Sequence, residues 1–164
     1  MRRSFQLRGT IGSVNAFNGC AVGVAVEADT AQSVAAKFEA ARTAQPAWAA
    51  AGFAHRAACV AKFKALLAEN ADELASLLSA EVGKPLAHAK GEIANTGPRI
   101  QFFLDNVEKH MADELAAPES SGTHEVVRSE ALGVLGNVSA WNFPYFVGAN
   151  VWAPVSDERR GKTS

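Results

Sequence analysis

Apolar positions change their period twice along the chain. Residues 1–28 are rich in Gly and Val and carry no helical repeat. Asn18-Gly19, set between Ala16-Phe17 and the apolar run Cys20 to Val26, predicts a tight turn within a short strand or hairpin. From Asp29 the spacing becomes helical. Asp29 with Gln32 reads as a capping box, and Val34, Phe38 and Ala41 follow at i, i+4 and i+7, up to an expected end at Pro46. A second helix sets Phe53, Ala57, Val60, Phe63 and Leu67 on one stripe, with Arg56, Lys62, Lys64 and Glu69 largely off it. Asn70 with Glu73 reads as another capping box that restarts a helix through Leu74, Leu77 and Leu78, and Gly83-Lys84-Pro85 breaks it. A further long helix carries Ile93, Ile100, Phe103, Val107 and Met111 on its apolar side. Pro98 should kink that helix unless the helix begins there.

The last part of the chain reads differently. Pro118-Glu119-Ser120-Ser121-Gly122 is a turn signal. His124 to Ser129 alternates as a strand does, around Val126 and Val127, and Ala131 to Val138 reads as a buried strand. The order is therefore helices first, then strands, in one fold. Trp48, Phe53 and Phe63 are expected to face its core.

Composition narrows the classes. The chain has 164 residues, 48% hydrophobic and 20% charged, with 16 basic against 17 acidic residues for a net charge of -1. Collagen, coiled coil and wholesale disorder are excluded, and no basic excess marks a nucleic-acid partner. No apolar run is long enough for a membrane span. Arg2-Arg3-Ser4-Phe5-Gln6-Leu7 resembles a twin-arginine export signal, but Gly9, Thr10, Gly12, Ser13, Asn15 and Asn18 interrupt the apolar stretch such a signal needs, so the segment is expected to be a frayed terminus. Cys20 and Cys59 form no C-x-x-C pair, which points to a reducing, cytoplasmic setting, with Cys59 a small buried hydrophobe. The four histidines are too scattered for a metal site. His88 with Glu92 and His110 with Glu114 read as solvated i, i+4 helix contacts. Lys84 lacks the glycine spacing of a phosphate loop.

One stretch carries chemistry. The strand expected over Ala131 to Val138 opens into Ser139-Ala140-Trp141-Asn142-Phe143-Pro144, and ligands of open α/β sheets bind outside the carboxyl ends of strands. The amide NH2 of Asn142 is a neutral donor at every working pH and could stabilise an oxyanion developing on a carbonyl. The same residues also read as plain structure, with Asn in a turn, Trp141 filling a core and Pro144 ending a strand.

Trp141-Asn142-Phe143-Pro144 and the preceding Glu130-Ala131-Leu132-Gly133-Val134 resemble the N-terminal part of the NAD(P)-dependent aldehyde dehydrogenase superfamily. Gln45-Pro46-Ala47-Trp48, Glu81-Val82-Gly83-Lys84-Pro85-Leu86 and Glu92-Ile93 stand in that family's order and spacing. The resemblance spans about residues 15 to 154. It implies an α/β fold with N-terminal helices, a β-hairpin or oligomerisation strand and the first strand of a Rossmann-like cofactor domain, a set incomplete relative to the family. The expected divisions are an extended hairpin segment at 1–28, the helical part of the cofactor-binding domain at 29–117, a strand pair with the Trp-Asn-Phe-Pro loop at 118–154, and a charged tail at 155–164 unlike the family. Asn142 aligns with the family's oxyanion asparagine. Val138, Ser139, Ala140 and Trp141 align with the loop lining the NAD or NADP site, where the family usually has Pro at the position of Ala140.

The family's chemistry uses a Cys nucleophile, a hydride transfer to NAD(P)+ and a Glu-activated water. Neither Cys20 nor Cys59 aligns with that nucleophile, so no turnover is expected from this chain by itself. In the tail, five of the last eight residues are charged, which cannot build a buried crossover. The expectation is therefore a truncated member of the family that takes small aldehydes only as part of a whole enzyme. A non-catalytic module that homo-oligomerises, or one half of a split enzyme completed by a complementary chain, are the alternatives.

Overall fold

The computed structural model describes residues 5–7, 10–15, 17–117, 120, 122, 124–131 and 133–155. The segment Met1 to Ser4, Leu132, parts of the 118–122 turn and the tail from Ser156 lie outside the described residues.

The chain opens with an antiparallel sheet of β1 (Phe5–Leu7), β2 (Thr10–Val14) and β3 (Ala21–Glu27), in that order. The expected hairpin is the β2–β3 pair. Asn15 Oδ1 accepts from the Phe17 amide at 2.8 Å, and Gly19 takes φ 73°, a left-handed conformation open to glycine at little cost. The frayed start is corrected: Phe5 pairs with Gly12 and Leu7 with Thr10.

Five helices follow among the described residues: α1 (Ala31–Ala50), α2 (Phe53–Glu69), α3 (Ala71–Val82), α4 (Leu86–His110) and α5 (Pro144–Val155). The N-cap of α1 is Thr30, not Asp29, and its box partner is Ser33. Asp29 instead accepts from Ser33 Oγ and Lys37 Nζ, both at 2.7 Å. Neither Pro46 nor Pro98 ends its helix. Each ring leaves one carbonyl a turn earlier without a donor, at Arg42 and Ala94, and both residues are exposed to water. Asn70 restarts the helix without a capping box, its side chain donating back to the Leu66 carbonyl at 2.7 Å.

The core lies around α4, against which α2, α3 and α5 pack. Val60, Leu67, Leu78, Ile93 and Ile100 fill it, and buried Ala75, Ala89, Ala149 and Ala153 let the helices approach closely. Phe63 packs edge-on against Trp152 with ring centres 4.7 Å apart. Arg56, expected off the apolar stripe, is buried, and its Nη1 donates to the Ala49 carbonyl in the last turn of α1. The apolar face of α1 is not covered by described residues, and Val34 and Phe38 are exposed.

The strand expectations hold only in part. Val126–Val127 (β5) pairs antiparallel with Glu114–Leu115 (β4), so the strand read at 124–129 is two residues long. Residues 133–140 form no strand, and Val138 is 98% exposed. A buried strand needs a paired neighbour for its backbone groups, and among the described residues neither sheet reaches this segment.

Candidate active site

The Trp141 to Pro144 loop is held by a buried ion pair. Gly83 caps α3 in the left-handed region at φ 73°, and the chain turns through Lys84 and Pro85 into α4. That turn leaves the Lys84 side chain 10% exposed beside Glu92, whose side chain is fully buried, with Nζ 2.5 Å from Oε2. Lys84 Nζ also donates to the Asn142 carbonyl at 2.7 Å and sits 3.4 Å above the centre of the Phe143 ring. The other Glu92 oxygen accepts from the Tyr145 and Phe146 amides at 2.9 and 3.3 Å. These are orphan donors in the first turn of α5, where Pro144 supplies a preset φ and a carboxylate meets the positive end of the helix dipole. One carboxylate from α4 thus ties the start of α5 to the lysine that grips Asn142.

Within the loop, the Phe143 amide donates to the Ala140 carbonyl at 3.2 Å and closes the turn. The Asn142 side chain is exposed and has no hydrogen-bond partner among the described residues. Val138 and Trp141 are exposed, while Ser139 and Ala140 are half-buried. Ser139 rests on α5 at the buried Gly148, where an added Cβ would lie 2.7 Å from Ser139 Oγ. Gly148→Ala should therefore turn the Ser139 hydroxyl aside while gaining helix propensity, and the two effects should leave the stability from urea unfolding within about 1 kcal/mol of the parent's.

Next to the loop, a cavity of about 720 Å³ lies between α4 and α5, with Lys84, His88, Asn95, Arg99, Phe143 and Phe146 among its lining residues. Arg99 Nε donates to Asn150 Oδ1 at 2.5 Å, and its guanidinium carbon lies 5.2 Å from the centre of the Phe103 ring. Burial, with Glu81 and Glu92 nearby, raises the pKa of Tyr145 above its ordinary value of 10.0. The folded state then disfavours the phenolate. Its contribution to stability is fully present below that ordinary value and is lost as pH rises through the folded value. Thermal scans from neutral to strongly alkaline pH should show a steeper alkaline loss for the parent chain than for Tyr145→Phe.

Sequence reasoning set aside the residues that organise this site. Glu92 is buried and pairs with Lys84, not in a solvated contact with His88. The signal was available, because Glu92 shares a helical stripe with Ala89, Thr96 and Ile100, where a carboxylate must find a partner. His110 ends α4 while Glu114 stands in β4, so they form no helical pair. Cys59 is exposed, with Sγ 3.8 Å from His55 Nε2. Among the described residues no cluster of His, Cys, Asp and Glu could hold a metal, and no helix is long and apolar enough to cross a membrane.

The profile of the aldehyde dehydrogenase family matches residues 5–155. The chain is 35% identical over 135 residues to a glutarate-semialdehyde dehydrogenase of Pseudomonas putida, covering 82% of this chain and 28% of that protein. It is 33% identical over 114 residues to an NADP(+) succinate-semialdehyde dehydrogenase of Escherichia coli, covering 70% of this chain and 23% of that one. The crystal structure of succinate-semialdehyde dehydrogenase from Burkholderia pseudomallei superimposes with a TM-score of 0.81 at 32% identity, over 90% of this chain and 30% of that one. The chain thus spans less than a third of the length of these relatives.

Proposed function

The chain belongs to the aldehyde dehydrogenase family, and from that premise we propose that it supplies the oxyanion-stabilising asparagine and the cofactor-side loop of an enzyme oxidising aldehydes with NAD+ or NADP+. The observation that carries this reading is the grip of Lys84 on the Asn142 carbonyl, which fixes the backbone of that residue and leaves its amide unpartnered. When a thiolate adds to an aldehyde carbonyl, negative charge collects on the oxygen. An amide N–H already in place answers that charge without reorganising, which is where such donors gain their effect.

The residues beside Asn142 fit a nicotinamide cofactor. Val138 offers an uncovered apolar side chain, and Ser139 and Ala140 are small enough for close approach. Val138, Ser139, Ala140 and Trp141 would line it, and the bound cofactor would accept the hydride. Neither Cys20 nor Cys59 lines the cavity beside the loop, so the nucleophile is read as coming from another segment. These 164 residues alone are expected to oxidise no aldehyde. A cytoplasmic location accords with two free cysteines.

The test is a hybrid in which residues 5–155 replace the matching segment of the Pseudomonas putida relative. NAD(P)+-dependent oxidation of propanal or of 5-oxopentanoate, the semialdehyde of glutarate, supports the reading, and a folded hybrid that turns over neither overturns it. A second reading, in which a complementary chain completes a split enzyme, is favoured by the exposure of Leu135, Val138 and Trp141. It predicts a stable complex when the two segments are produced separately, and a monodisperse monomer in sedimentation of the mixture counts against it.

A further inference from the structure

We propose that Arg99 determines substrate specificity, by receiving a carboxylate at the far end of the aldehyde in the cavity beside the Asn142 loop. The proposal rests on the aldehyde-oxidising reading and names the substrate class of that same site.

Three observations carry it. The first is charge. Of the basic groups lining the cavity, Lys84 is neutralised by Glu92. Arg99 has no carboxylate partner among the described residues, so the cavity holds an uncompensated, permanently protonated guanidinium. The second is preorganisation. Asn150 on α5 accepts from Nε at 2.5 Å, and Phe103 and Phe102 lie 5.2 and 5.7 Å from the guanidinium carbon, within cation–π range. With Nε engaged, the two terminal amino groups remain as the planar fork that receives a carboxylate through two parallel hydrogen bonds. Fixing that fork before the ligand arrives removes part of the ordering cost of binding.

The third is placement. Arg99 lies seven residues beyond Glu92 on α4, about 10 Å along the axis at 1.5 Å per residue. Lys84, which holds the Asn142 carbonyl, and Glu92 mark the loop end of the cavity and Arg99 the other. A short aliphatic chain with its carboxylate on Arg99 and its aldehyde toward the loop spans that separation. Phe143 and Phe146 supply apolar wall between, and the volume suits a small ligand.

The experiment uses the 164-residue chain and two probes of equal length, glutarate and its neutral diamide glutaramide. Titrations are followed by 1H–15N NMR, including the Arg99 Nε–Hε resonance. Glutarate should bind at least about tenfold more tightly than glutaramide and shift that resonance. Arg99→Gln should erase the preference, and Arg99→Lys should keep part of it as a charge without the fork. Asn150→Leu, which frees the guanidinium without removing it, should weaken glutarate binding by a smaller factor and covers the case in which Arg99→Gln fails to fold. Equal affinity for the two probes, no glutarate binding, or binding unchanged in Arg99→Gln overturns the proposal. The hybrid assay keeps the two failures apart. Turnover by the hybrid without glutarate recognition sinks the role of Arg99 alone, whereas glutarate recognition without turnover of either aldehyde by the hybrid sinks the enzymatic reading.

Discussion

Replacing Glu92 by alanine lowers the stability of the chain by about 3–5 kcal/mol, the range found when one partner of a buried ion pair is removed. The size follows from what the side chain touches. Its carboxylate is fully buried, one oxygen on Lys84 Nζ and the other on the Tyr145 and Phe146 amides. The alanine variant leaves a lysine 10% exposed without its counter-charge and two helix donors without an acceptor. Glu92→Gln keeps one acceptor oxygen for the amides and loses the charge, so it should fall between the parent and Glu92→Ala. Urea unfolding followed by circular dichroism measures the series. A loss below about 1 kcal/mol in Glu92→Ala would place the pair among ordinary surface contacts and contradict this account.

That pair also marks the limit of what could be read from sequence. The turn at Asn18-Gly19, the break at Gly83 and the apolar side of α4 were all legible, because each depends on neighbours within a few residues. The clasp was not, because Glu92 meets the start of α5 across more than fifty positions, and a charged residue on a helix is read as solvated by default. The same default hid Arg56, which is drawn inside by an orphan carbonyl at Ala49. Ala131 to Val138 failed in the opposite sense. Its apolar run predicts burial, but a strand exists only when another strand pairs with it, and among the described residues none does. The start of α1 lies one residue later than the sequence predicts: Thr30 with Ser33 forms the cap, and the Asp29 carboxylate pairs with Lys37.

Asn142→Ala carries the largest expected effect on catalysis. In the active hybrid it should lower kcat by about 10²–10³, equivalent to about 2.7–4 kcal/mol of barrier, the loss seen when one oxyanion donor is deleted. KM should change little, because the donor acts on charge that develops after the substrate is seated. The substitution leaves the Asn142 carbonyl in place, so the Lys84 grip and the stability of the loop should survive. Asn142→Asp should be at least as damaging, since it replaces a donor with a negative charge facing the developing oxyanion.

Single-turnover hydride transfer in the hybrid, compared between the parent loop and Asn142→Ala, is the most direct measurement. A fall of about 10²–10³ in the rate of cofactor reduction, with unchanged folding, is the expected result. Equal rates in the two proteins would show that Asn142 stabilises no oxyanion and that the loop is held by Lys84 for structure alone.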